Sequence, residues 1–170
     1  MSCRTLLLAF VSVVVALNAA ARAGTPSEAA SIDVLVHEGT SMAVAVSPDG
    51  QTLALDLQGS IWLLPVTGGL ATRITDLFND ARQPAWSPDG TWITFFSYRD
   101  GGYHLWAVAP DGSQLHQVTW GPFDDREPVW SHDGTQLAFS SDRGDPLGSH
   151  SHIWVLERRS GQVRQVTQEP

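Results

Sequence analysis

The sequence predicts an all-β chain: three four-stranded antiparallel blades of an incomplete, open β-propeller, preceded by a signal peptide. Three observations carry that prediction. Ser47-Pro48-Asp49-Gly50 returns as Ser87-Pro88-Asp89-Gly90 and again as Ser131-His132-Asp133-Gly134, at spacings of 40 and 44 residues. Ile61-Trp62, Leu105-Trp106 and Ile153-Trp154 form a second landmark; Ile74-Thr75, Val118-Thr119 and Val166-Thr167 form a third. Each Trp precedes its Thr by 13 residues, whereas the turn Gly precedes the Trp by 12, 16 and 20, so the variation in length falls in one hairpin loop. A repeat of this period marks propeller blades or helical arrays. No stretch after residue 30 keeps an apolar period of 3.6, which leaves strands.

The elements follow in chain order. Arg4 opens a weakly basic start, residues 6–17 are apolar except for Ser12, and Ala21-Arg22-Ala23 gives a small-x-small site. This is the layout of a signal peptide over 1–23, cut after Ala23. The apolar run is too short to cross ~30 Å of hydrocarbon, and no later run is longer, so no membrane span is expected after cleavage. Residues 24–40 read as a leader with one candidate strand, Ile32 to Val36. The blades then occupy 41–80, 81–125 and 126–170.

Within each blade the Ser-x-Asp-Gly segment suits a tight turn. Pro presets φ at the second position, Asp tolerates the third and Gly accepts a positive φ. Met42, Val44 and Val46 alternate before the first turn, and Leu53, Leu55 and Leu57 after it, as a half-buried strand requires. In the second blade the strands are expected at 83–86, 91–97, 104–109 and 115–119. Residues 92–96 are apolar on both faces, which fits a sheet sandwiched between two neighbours.

Composition narrows the function classes. There is no Lys, and 10 basic residues stand against 18 acidic ones for a formal charge of −8. That balance excludes the basic footprint of a nucleic-acid binder. Loss of the signal peptide leaves eight Arg against the 18 acids, a formal charge of −10. Cys3 is the sole cysteine, which excludes a disulfide framework and a thiolate metal site.

Pro84-Ala85-Trp86-Ser87-Pro88-Asp89-Gly90 opens the second blade, Ser97-Tyr98-Arg99-Asp100-Gly101-Gly102 leaves its second strand, and Ser141-Asp142-Arg143-Gly144 does so in the third. These segments resemble the TolB-like propeller repeats, a WD40-like family of exported bacterial proteins, over residues 38–170. In the first blade, Glu38-Gly39-Thr40, Val46 to Gly50 and Asp56-Leu57-Gln58-Gly59-Ser60-Ile61-Trp62, with Pro65 and Gly68-Gly69 beyond, are similar to the opening of propellers that precede an amidohydrolase domain. The resemblance implies a periplasmic or secreted, non-catalytic module for protein or ligand binding. Its partner would be another protein or a C-terminal hydrolase domain, and a longer parent would be a metal-dependent amidohydrolase. The alternative is a free-standing TolB-like interaction protein of envelope or transport assemblies. No cofactor is implied. Closed propellers have about 4 to 8 blades, so three leave the outer faces of the end blades without partners. Three readings stay open: the front piece of a longer protein, a truncated product, or a ring completed by self-association.

Candidate chemistry is sparse. His150-x-His152 has the spacing of two metal ligands on one strand face, yet His104 precedes Leu105-Trp106 just as His152 precedes Ile153-Trp154, which favours a structural role. Asp124, Asp125 and Arg126 form the densest charge cluster, in an inter-blade connection where ligand contacts on loops are common. The recurrence of Asp80/Arg82 as Asp124/Arg126 favours a structural role there too, with Arg126 pairing across the blade interface. Asp49, Asp89 and Asp133, with Gly50, Gly90 and Gly134, are assigned to the turns. Trp62, Trp106 and Trp154 are assigned to blade packing, and Trp120 to a loop mouth. No catalytic constellation is recognised, and no Gly-x-Ser-x-Gly elbow is present.

Overall fold

The computed structural model describes residues 41–77, 79–145 and 150–167. The predicted signal peptide with its cleavage site, and the candidate strand at 32–36, lie outside the described residues. Twelve strands form three separate four-stranded sheets, with no helix among the described residues. The first sheet comprises β1 (Val44–Val46), β2 (Thr52–Leu57), β3 (Ser60–Pro65) and β4 (Thr72–Arg73). The second comprises β5 (Arg82–Trp86), β6 (Ile93–Ser97), β7 (His104–Val108) and β8 (His116–Gln117). The third comprises β9 (Asp125–Trp130), β10 (Gln136–Ser141), β11 (His152–Glu157) and β12 (Val163–Gln165). Every sheet is an antiparallel meander in sequence order.

The repeated turn has one hydrogen-bond plan. Gly50, Gly90 and Gly134 donate to the carbonyls of Ser47, Ser87 and Ser131 at 2.8, 2.9 and 3.0 Å. Their φ angles of 70°, 70° and 69° lie in the region glycine reaches without strain. Ser87 and Ser131 donate to Asp89 and Asp133 at 2.6 and 2.7 Å, and each Asp accepts the amide two residues on. Those bonds hold Asp89 and Asp133 down to about 2; Asp49 is lowered the same way, first by Ser47. A carboxyl whose folded pKa lies below its unfolded value stabilises the fold above the unfolded value and stops doing so as pH falls through the folded one. Stability should therefore drop between about pH 4 and 2, measured by urea midpoints across that range. In Asp89→Asn/Asp133→Asn the same drop should be shallower; an unchanged profile would rule out the turn carboxylates as its source.

The third landmark also has a physical cause. The hydroxyls of Thr75, Thr119 and Thr167 accept the amides of Ile61, Leu105 and Ile153 at 2.9, 3.0 and 2.9 Å. The strand start and the strand end are tied together in each sheet, which fixes the separation of Trp and Thr. That tie also ends β8 at Gln117, earlier than expected, because the Thr119 side chain takes the amide of Leu105. Likewise β6 begins at Ile93 because Thr91 remains in the turn, bonded twice to Asp89.

Packing between sheets makes two cores. Ala54 and Ile61 of the first sheet meet Ile93, Phe95 and Val108 of the second. Phe96 and Leu105 on the other face of the second sheet meet Leu137, Phe139 and Leu156 of the third. β6 is consequently buried at all five positions, whereas β2 and β10 alternate. On the first and third sheets Val44, Val46 and Val129 are 63%, 56% and 61% exposed, apolar residues that no sheet among the described residues covers.

Candidate functional site at the loop end

In an antiparallel meander the β2–β3, β6–β7 and β10–β11 hairpins share one end with the connections between sheets, and the Ser-x-Asp-Gly turns lie at the other. The loop end gathers the close arginine–carboxylate pairs. At the first interface Asp56 accepts the amides of Ala43 (2.8 Å) and Gln83 (2.7 Å). Gln83 can reach it because a register shift in β5, with φ of 50°, turns its N–H out of the ladder. Arg99 grips Asp76 with both guanidinium nitrogens, one at 2.7 Å, and this holds the Asp76 carboxyl below the usual range. Asp80 accepts from Arg82 at 2.7 Å and from the Tyr103 hydroxyl at 2.8 Å. Burial raises the Asp80 carboxyl, but these two donors outweigh burial and leave it lowered. The bond to Asp80 raises Tyr103.

The second interface repeats this plan with one exchange. Asp124 pairs with Arg126 at 2.8 Å, as Asp80 does with Arg82. Arg126 has two kinds of partner. Its carboxylate is two residues away in its own segment, and across the interface it stacks on the Tyr103 ring at 4.1 Å. Asp124 also accepts the Tyr103 amide at 3.2 Å and donates its own amide to Asp142 at 2.9 Å. Asp125 is fully buried and binds Arg143 at 2.5 Å. Arg143 lies against the rings of Phe139, Phe123 and Trp154 at 5.0, 5.3 and 5.6 Å. In the repeat register Arg143 corresponds to Arg99, Asp125 to Ala81 and Trp120 to Asp76. The arginine is kept and its carboxylate moves five residues inward, leaving Trp120 at the surface, 65% exposed.

His104, also buried, stands beside this pair. Its Nδ1 lies 3.9 Å from Asp125 and its Nε2 3.7 Å from Asp100, both beyond hydrogen-bonding distance. Its Nδ1 and Asp125 Oδ1 are buried without a hydrogen-bond partner. His104, Tyr103 and Arg143 carry no local sequence signal that marks them as partners here. The mismatch of Asp125 with Ala81 was the available signal.

The remaining predicted residues fall elsewhere. Asp49, Asp89 and Asp133 lie in the turns at the opposite end. Trp62, Trp106 and Trp154 sit on β3, β7 and β11, each under an arginine, Arg73, Arg99 and Arg143, at 5.8, 5.2 and 5.6 Å. His150 is exposed, with its amide on Asp145 at 2.8 Å. His152 pairs with Ser141 in the register, as His104 does with Ser97. Among the described residues no three His, Cys, Asp or Glu side chains converge to hold a metal ion. The loop end thus presents carboxylates and guanidiniums fixed by one another, a geometry suited to polar recognition.

Comparison with known proteins places this architecture. Residues 40–170 match the family described as the Tricorn protease N-terminal beta propeller domain. Protein Atu1656 of Agrobacterium fabrum is 35% identical over 77 residues, 43% of this chain and 26% of that protein. Tricorn protease homolog 1 of Streptomyces coelicolor is 32% identical over 75 residues, 44% of this chain and 7% of that protein. The chain therefore spans about a quarter or less of the length of these curated relatives. The solved structure of a putative TolB from Agrobacterium tumefaciens superposes with a TM-score of 0.66 at 26% identity, covering 75% of this chain and 50% of that one. The family match runs through all three sheets, and the chain belongs to the Tricorn protease N-terminal β-propeller domain family.

Proposed function

We propose that the chain is a non-catalytic, exported binding module that presents its loop end to a protein partner, as the N-terminal part of a larger hydrolase. The observation that supports it most is the loop-end network, in which the accessible carboxylates Asp76, Asp80 and Asp124 are each held by an arginine. Groups fixed before contact lose little freedom on binding. The family match to a domain N-terminal to a protease supports a hydrolase parent. The resemblance of the first blade to amidohydrolase-linked propellers narrows that to a metal-dependent amidohydrolase. The TolB likeness supports the second reading, a free-standing periplasmic interaction protein. The uncovered apolar residues of the first and third sheets suit further blades, or a second copy of this chain.

The size of the native polypeptide separates these readings. Immunoblotting of the source cells with antibody to residues 41–167 should reveal a product several times longer than 170 residues, found in the exported fraction. A native product of this length would remove the larger-hydrolase reading. A zinc-dependent hydrolase activity of this chain that disappears in His150→Ala would overturn the non-catalytic assignment.

A further inference from the structure

The two interfaces arise from one repeat, yet one is filled and the other is open. At the first, Leu63 of β3 packs against the core that holds Ile93, Phe95 and Val108. The β7–β8 turn closes over it: a Cβ on Gly112 would stand 3.2 Å from the Ile74 carbonyl oxygen. One blade on, the residue in the register of Leu63 is Ala107, paired with Thr94 as Leu63 is with Ala54. In the β11–β12 turn a Cβ on Gly161, which stands one place further from its Trp than Gly112 does, would meet nothing within 4 Å. What remains is a groove of about 440 Å³ between the second and third sheets. Its lining includes the buried Ala107 and Leu137, with Trp92 and Trp130 toward the turn end and Trp120 toward the loop end. Trp92, Trp120 and Arg158 replace Thr52, Asp76 and Pro110 of the preceding repeat.

The charged side chains that line the groove are arginines. Its lining includes His116, Arg143 and Arg158 and no Asp or Glu, in a protein of formal charge −8. Arg143 is already engaged by Asp125. Arg158 lies over the Trp130 ring at 5.5 Å, 45% exposed, with only a loose contact of 3.9 Å to Asp89. His116 meets Trp92 edge-on at 4.9 Å between ring centres.

We propose that this groove binds a small aromatic carboxylate at its turn end, its ring between Trp92 and Trp130 and its carboxylate on Arg158. The volume falls within the range of about 300–1,000 Å³ of small-molecule sites. Indole walls accept a flat ring edge-on or offset, and a guanidinium favours a carboxylate over a neutral amide.

Isothermal titration of the full chain with 2-naphthoate, 2-naphthamide and the blocked peptide acetyl-Asp-Phe-Glu-amide tests this. Naphthoate should bind saturably at one site, about 10-fold more tightly than naphthamide. Ala107→Leu, which restores the residue found at the filled interface, should weaken naphthoate about 10-fold or more. Arg158→Gln, an exposed change, should remove the preference for naphthoate over naphthamide and leave the melting temperature unchanged. Failure of naphthoate to saturate below about 5 mM would overturn the proposal. So would equal affinity for acid and amide, binding indifferent to Ala107→Leu, or a peptide that binds more tightly than naphthoate.

Discussion

Replacing Asp125 by Ala is expected to lower the unfolding free energy by about 3–5 kcal/mol, the cost of breaking a buried ion pair from one side. Asp125 is fully buried and the Arg143 side chain is only 12% exposed, so the arginine loses its carboxylate with little water to replace it. Ala itself fits, because Ala81 occupies the corresponding buried position at the first interface. The loss is therefore one of charge rather than volume. The first interface also supplies the remedy. There, Asp76 holds Arg99 from the place that Trp120 takes at the second. Trp120→Asp added to Asp125→Ala should therefore restore about 1–2 kcal/mol, a coupling of the size neighbouring charged residues show. Urea denaturation of the wild type, both single variants and the double variant measures the cycle. A cost below about 1 kcal/mol for Asp125→Ala, or strictly additive changes in the double variant, would show that Arg143 does not depend on this carboxylate.

The same comparison of repeats explains what could be read from sequence. The three-sheet architecture was legible because its signals are local or fixed in pitch. Ser, Asp and Gly in each turn bond within five residues of one another, and each Thr ties down one strand start at a constant separation. The paired charges Asp80/Arg82 and Asp124/Arg126 were legible for the same reason. Partners across an interface were not. The partner that Arg126 meets across it is a ring face, that of Tyr103, which no charge pattern announces, while its carboxylate lies two residues away. The burial of Asp125 depends on Arg143, 18 residues further on, reaching back from β10's end. The groove depends on Ala in place of Leu at one position of a strand pattern, and both residues satisfy that pattern equally.

Phe95→Ala should cost about 3–5 kcal/mol, whereas Leu55→Ala at the same repeat position should cost about 1–2 kcal/mol. Phe95 is fully buried on a strand with no exposed face. It packs with Ile61 of the first sheet and with Ile93 and Val108 of its own. Removing its ring leaves a cavity that neither neighbour can fill, because both sheets are held by their ladders. Leu55 is half-buried on the alternating strand β2, between Ala54 and Asp56, which point into the interface. Truncation there removes apolar area without enclosing a void. Chemical denaturation of the two variants reads the difference directly, since both changes leave the turns and the loop-end ion pairs intact. Equal costs would mean that the middle sheet is no better enclosed than the first, contradicting the two-sided packing of β6 and the separation of the core into two interfaces.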